Sequence, residues 1–200
     1  MVIEKLEDLM KPVLALSDDV DRAEREVVAN KDSYSRRNHI RALFAMIEGT
    51  IYILKQTVLI AASSGPGPLS TDELALLQER NFFLDEKGTP KSKNNFLRTA
   101  ANLRFTRSCL KKAFGYSLDL SDTPDNWNEF EKAIGVRNRI THPKGLQDFD
   151  VSEEESELAA RVAHWFDDFV IDWFKQTLST HLVDKSEEAP AKSKSDDYTM

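Results

Sequence analysis

The stretch that decides the fold is FAMIEGTIYILKQTVLIAA, Phe44–Ala62, the longest apolar run in the chain. Glu48, Lys55 and Gln56 interrupt it. A bilayer-spanning helix needs about 20 residues with few or no charges, so the run reads as a core helix rather than a membrane span. Ile40, Leu43, Phe44, Ile47, Ile51, Leu54 and Val58 recur at three- and four-residue spacing, one apolar stripe of an α-helix. That helix is expected to start after Asp32 or Ser33 and to end at about Ala62.

Helical signals continue on both sides. Upstream, Ile3, Leu6, Leu9, Val13 and Leu16 keep helical spacing over Val2–Ala29, with Pro12 an expected kink. Downstream, SSGPGPLSTDEL breaks the chain. Ser70 with Glu73 forms a capping box and Leu69 with Leu74 has the spacing of a hydrophobic staple, so a short helix is expected from Thr71 to about Asn81. DEKGTP reads as a turn. A fourth helix is expected over Ser92–Phe114, carrying Phe96, Leu97, Leu103, Phe105 and Leu110. Thr123 as cap and Pro124 in the first helical position open a fifth. A second capping box, Ser152 with Glu155, opens a sixth that is dense in Trp165, Phe166, Phe169, Trp173 and Phe174 and is expected to reach His181. No segment alternates apolar and polar residues long enough to read as a strand. The expectation is an all-α bundle of about five to six helices, one domain over 1–183, followed by a disordered acidic tail over 184–200, where the sequence turns polar.

Hydrophobic residues make up 40% of the 200 positions, enough for one core. A net charge of -7 argues against coating nucleic acid by bulk charge but leaves room for a local basic groove. The single cysteine, Cys109, allows neither an internal disulfide nor a cysteine-based zinc site. With no signal-like N-terminus, a cytoplasmic location is expected.

Most chemistry-bearing residues have a plain structural reading. Pro66 and Pro68 remove backbone donors from SSGPGP, so it is a connector rather than a phosphate cradle. His39, His142, His164 and His181 have no metal-ligand spacing, and the acidic DFDVSEEESE lacks the spaced ligands and central glycine of a calcium loop. No metal and no cofactor is expected. His164, Asp168, Asp172 and Lys175 form one solvated helix face.

The exception is GVRNRITHPKG, Gly135–Gly145. Trp127, Phe130, Ile134 and Arg137 share a helical stripe that is apolar until its last member, so Arg137 should emerge where the core surface runs out, into a groove. Pro143 should end the helix and bias His142 away from helical angles. His142 then stands at a helix C-terminus, whose carbonyls attract a cationic ring. A guanidinium can clamp a phosphate, and an imidazole can move a proton near neutral pH. With the amide of Asn138, these are the parts that metal-free RNA cleavage by the 2′-hydroxyl requires. Two basic groups could track an RNA backbone: Arg36, Arg37 and Arg41 at the start of the second helix, and Arg104, Arg107 and Lys111 on the fourth.

RNRITHP at the end of a late helix resembles the signature of the HEPN superfamily, whose members are helical bundles with an Arg-x-x-x-x-His motif, commonly with a polar residue directly after the arginine. The resemblance covers about residues 33–182. It implies a metal-independent endoribonuclease in which two motifs meet across a homodimer cleft, with Arg137, Asn138 and His142 as the catalytic set. Some families add a polar or acidic residue from an early helix; Glu48, on one face with Arg37 and Arg41, is the candidate for that supporting role. A toxin or anti-phage defence effector is the implied setting, with RNA as substrate and a regulatory protein partner as a further expectation. One departure is Lys144, which stands two residues beyond His142 where a subgroup of the superfamily has tyrosine. The alternatives are a catalytically inert helical dimerisation or RNA/protein-binding module, and an unrelated helical protein.

Overall fold

A computed structural model describes residues 2–63, 67–115 and 124–187, with side chains described for 8, 10–63, 67–115 and 125–176. Six α-helices carry the chain: α1 (Val2–Asn30), α2 (Ser33–Ala62), α3 (Thr71–Leu77), α4 (Thr99–Phe114), α5 (Pro124–Thr141) and α6 (Glu153–Glu187). A two-stranded antiparallel sheet, β1 (Arg80–Leu84) with β2 (Pro90–Asn94), lies between α3 and α4, and a 3-10 turn, Leu146–Phe149, lies between α5 and α6. The fold is all-α.

The apolar run at Phe44–Ala62 forms the central helix. Asp32 caps α2, its carboxylate accepting from the Ser35 backbone N–H at 2.7 Å. Leu43, Ile47, Leu54 and Val58 are fully buried. By length and composition α2 could cross a membrane, but 61% of its apolar window is buried inside the protein. α1 runs back along it: Glu24 faces His39 near the connecting turn, and Leu16 faces Gly49 two turns further. A Cβ at Gly49 would stand 2.5 Å from the Leu16 side chain, so the missing side chain lets the two helices close up beside Glu48. Opposite α1, Phe44 stacks on Phe130 of α5 at 6.3 Å, and Phe130 meets Trp165 of α6 at 5.4 Å. Aromatic contacts of this kind add about 0.5–1.5 kcal/mol each beyond their buried area. Buried Cys109 on α4 has its thiol pushed up to about 11 by burial, with Glu73 adding to the effect, so it packs as an apolar group.

Both capping boxes form: Ser70 with Glu73, and Ser152 with Glu155, each with reciprocal hydrogen bonds of 2.9–3.2 Å. Leu69 and Leu74 both pack against the core. The predicted solvated face of α6 is exposed at His164, Asp168, Asp172 and Lys175.

Three boundaries differ from the sequence expectation. α3 ends at Leu77 rather than Asn81, because Glu79 adopts a left-handed φ of 53° that a helix cannot continue through. The stretch read as loop and helix start is instead the hairpin, and α4 begins at Thr99 rather than Ser92. The sequence reading found no strand because all ten strand residues are exposed; the alternation that signals a strand arises only when one face is buried. The DEKGTP turn closes this hairpin, with Gly88 at φ 74° and the Asp85 carboxylate accepting from the N–H groups of Lys87 and Thr89. Finally, α6 continues past His181 and past the expected domain end at Val183 to Glu187, so the first residues assigned to the tail are helical. The remaining tail, 188–200, and the Thr123 cap lie outside the described residues. α1 continues through Pro12.

His39 supplies a pH-dependent element of stability. Its ring is buried between α1, α2 and the start of α6, and neither nitrogen has a hydrogen-bond partner. Burial lowers its pKa from the ordinary 6.5, and Glu24 opposes this only in part. The folded state therefore binds this proton less readily than the unfolded chain. As pH falls below about 6.5 the unfolded state gains protons first and stability drops. His39→Leu should flatten the loss of Tm between pH 7 and pH 5 measured by circular dichroism; an unchanged slope would show that other groups set it.

Candidate active site

The groove begins where α2, α4 and α5 diverge. Ile134 on α5 is half-buried, and the next residue on its stripe, Arg137, leaves the core as the sequence spacing required. Its guanidinium enters a cavity of about 1090 Å³, lined among others by Glu48, Tyr52, Phe96, Arg104 and Asn138. Arg137 Nη2 donates to both carboxylate oxygens of Glu48, at 2.9 and 3.1 Å, and Nη1 donates to Asn138 Oδ1 at 3.1 Å. The Thr99 hydroxyl, at the first turn of α4, donates to Glu48 Oε1 at 3.3 Å. Three helices thus fix one guanidinium. Three hydrogen bonds leave two of its five N–H donors open. The side chains of Arg137 and Glu48 are 27% and 41% exposed, so a solute can reach them.

His142 stands one residue beyond the end of α5. Its backbone N–H closes the last helical turn on Asn138 O at 3.0 Å, and Pro143 stops the ladder there. The ring is exposed and does not line the groove. Within one chain the structure therefore brings together Glu48, Arg137 and Asn138 and leaves His142 at the rim of the helix end.

The basic residues named from sequence take several roles. Arg36 donates to Val151 O at 3.1 Å, Arg37 to Phe149 O, and Arg41 to Ile140 O at 3.5 Å. Arg37 also lies 5.7 Å from the centre of the Phe149 ring. These side chains satisfy carbonyls at the end of α5 and in the loop after it, where helix-end dipoles favour cations; Arg36, Arg37 and Arg41 do not line the groove. Arg104 does. It lies 4.2 Å over the Trp127 ring and pairs with Glu131 at 3.1 Å. Arg107 and Lys111 follow on α4 outside the groove lining. Three acidic side chains, Glu48, Glu79 and Glu131, balance Arg98, Arg104 and Arg137 along the walls. The groove is charge-balanced rather than basic.

Two residues that sequence reading passed over hold this geometry. Arg139 clamps the loop after the motif: Nη2 donates to both oxygens of Glu155 at 2.7 Å, and Nη1 to Asp150 O at 2.6 Å. Glu155 also completes the α6 capping box, so one carboxylate joins the end of α5 to the start of α6. Thr99 is the second. Neither carries a local signal, since the carboxylate each one meets lies 16 or more residues away.

Among the described residues no group of three or more His, Cys, Asp or Glu side chains could hold a metal ion. No family model, curated protein or solved structure matches the chain.

Proposed function

We propose that the chain is a metal-independent endoribonuclease of the HEPN type, working as a homodimer in the cytoplasm. The observation that carries this reading is the Glu48–Arg137–Asn138 constellation: an early-helix carboxylate holds the motif arginine at the mouth of a groove, with its neighbouring amide beside it. The 2′-oxygen of the substrate attacks the adjacent phosphorus while the bond from phosphorus to the 5′-oxygen breaks. The proton of the 2′-hydroxyl leaves to a base, and the 5′-oxygen takes one up. Arg137 stabilises charge on the phosphorane through its open N–H groups. His142 moves one of the two protons, and Asn138 orients a reacting group. His142 stands outside the groove of its own chain, which supports completion of each site by a second copy. A toxin or defence effector restrained by a protein partner is the setting this chemistry fits.

The test is RNA digestion in excess EDTA by protein shown to be dimeric in light scattering at micromolar concentration. Cleavage should persist and leave 2′,3′-cyclic phosphate ends. Activity lost to chelator and restored by magnesium or manganese would overturn the reading. An inert helical binding module is the second reading, and the exposure of the Arg137–Glu48 pair, ordinary for a surface ion pair, is what favours it.

A further inference from the structure

The charge balance of the groove leaves a question: what attracts a polyanion to it? The β1–β2 hairpin answers with a different composition. Four of the six charged side chains of the hairpin, Arg80–Asn94, are basic, in a chain whose net charge is -7. The strand register places Phe83 opposite Lys91 and Asn81 opposite Lys93, so Phe83, Lys91 and Lys93 share one face. Every residue of both strands is exposed. Phe82 and Phe83 are 62% and 48% exposed, and Phe96, just past the hairpin, is 88% exposed. Lys93 has no acidic partner among the described residues, and Lys91 meets Asp85 only at 3.9 Å. A solvated two-stranded ribbon that displays aromatic rings and ammonium groups gains nothing for the core; such ribbons are marginal without something laid on them.

Its placement ties it to the site. The hairpin closes at its base through a hydrogen bond from Asn95 N–H to Glu79 O at 2.7 Å. Glu79, just before β1, and Phe96, two residues past β2, both line the Arg137 groove. The ribbon therefore rises from the rim of the cavity, and a strand of nucleic acid lying along it would be led toward Arg137.

We infer that the hairpin is a docking arm for single-stranded RNA, with bases stacking on Phe83 and Phe96 and phosphates meeting Lys91 and Lys93. This rests on the ribonuclease reading for the choice of RNA, but its chemistry is independent of cleavage: exposed aromatic rings accept any unpaired base, and ammonium groups neutralise phosphates without reading sequence. A duplex, whose bases are already stacked, offers the rings nothing.

The test uses the full chain and a fluorescein-labelled 12-nucleotide RNA with every 2′-hydroxyl methylated, which binds but cannot be cut by 2′-oxygen attack. Binding is followed by anisotropy from 50 to 200 mM salt, with a duplex of the same sequence as control. Single strand should bind more tightly than duplex. Phe83→Ala should weaken binding about tenfold. The pair Lys91→Gln and Lys93→Gln should reduce the slope of log affinity against log salt by about 1.4, two phosphate contacts' worth. Because these residues are exposed, circular dichroism should be unchanged. Variants that bind like the parent would overturn the inference, as would failure of the parent to bind at 100 μM. Variants whose effect is instead on the oligomeric state would assign the ribbon to a contact between copies and equally overturn it. If the hairpin variants lose binding while the parent proves unable to cut unmodified RNA, the arm stands and the ribonuclease reading falls.

Discussion

Replacing Arg137 or His142 by alanine should lower RNA cleavage by about 10²- to 10⁴-fold, the worth of a positioned acid–base group or of a donor aimed at developing charge. Helical content and dimerisation should be intact. The structural cost is small because His142 is exposed and the Arg137–Glu48 pair is at the surface, where such pairs contribute about 0–1 kcal/mol. Arg137→Lys should recover little. An ammonium cannot hold Glu48, Asn138 and a phosphate oxygen at once in the planar geometry that Nη1 and Nη2 provide.

Glu48 separates a positioning role from a decorative one. Its carboxylate touches Arg137 and the Thr99 hydroxyl. Glu48→Gln keeps one acceptor and removes the charge that orients the guanidinium, so kcat should fall by about tenfold, less than for Arg137→Ala, with KM nearly constant. Thr99→Val should act in the same direction and more weakly. Alanine variants that fold normally and cut at the parent rate would take the site out of catalysis and leave the binding-module reading. Variants that unfold early would make the motif a structural clamp, the role Arg139 already fills two residues away.

The parts of this site that were legible in the sequence are those set by local rules. The apolar stripe ending at Arg137 gave its exit from the core, and Pro143 gave the helix end at Thr141. A shared helix face suggested Glu48, and the fold supplied the contact across 89 residues of sequence. What could not be read was pairing at a distance. Arg36, Arg37 and Arg41 look like a basic patch in one dimension; in three dimensions each turns a donor to a carbonyl more than 90 residues away. The hairpin was invisible for a different reason. Sequence patterns report burial, and RNFFL and PKSKN bury neither face. Phe96 was assigned to the fourth helix by its apolarity, while the structure leaves it in solvent together with Phe82 and Phe83. A feature with no core-facing side is legible only once the elements flanking it have been placed.

The same limit applies to Lys55, one of the polar residues that interrupt the central apolar run. Its side chain is fully buried, and its ammonium meets Glu79 Oε1 at 2.8 Å while the Glu79 side chain keeps 35% of its surface exposed. A buried charge is tolerated only while its partner stays in place, and removal of one partner typically costs about 3–5 kcal/mol. Glu79→Ala should therefore destabilise the protein by about 3 kcal/mol, the low end because water reaches the carboxylate side. That corresponds to roughly 6–12 °C in Tm for a chain of this size. The backbone is a separate contribution, since Glu79 sits at φ 53°, a strain the parent and Glu79→Ala share. Glu79→Gly relieves that strain and should lose about 1 kcal/mol less than Glu79→Ala. Glu79→Gln, which keeps an acceptor, should lie between the parent and Glu79→Ala. Combining Glu79→Gln with Lys55→Met removes the orphaned charge and should return much of the lost stability, so the two effects will not add. Thermal melts of these four variants and of Lys55→Met alone decide it: additive losses, or a Glu79→Ala Tm within 1 °C of the parent, would show that Lys55 does not depend on this carboxylate. The pair matters to the groove because Glu79 is both its wall and the hinge from which β1 departs. Loosening Lys55 should therefore weaken binding of single-stranded RNA before it unfolds the bundle.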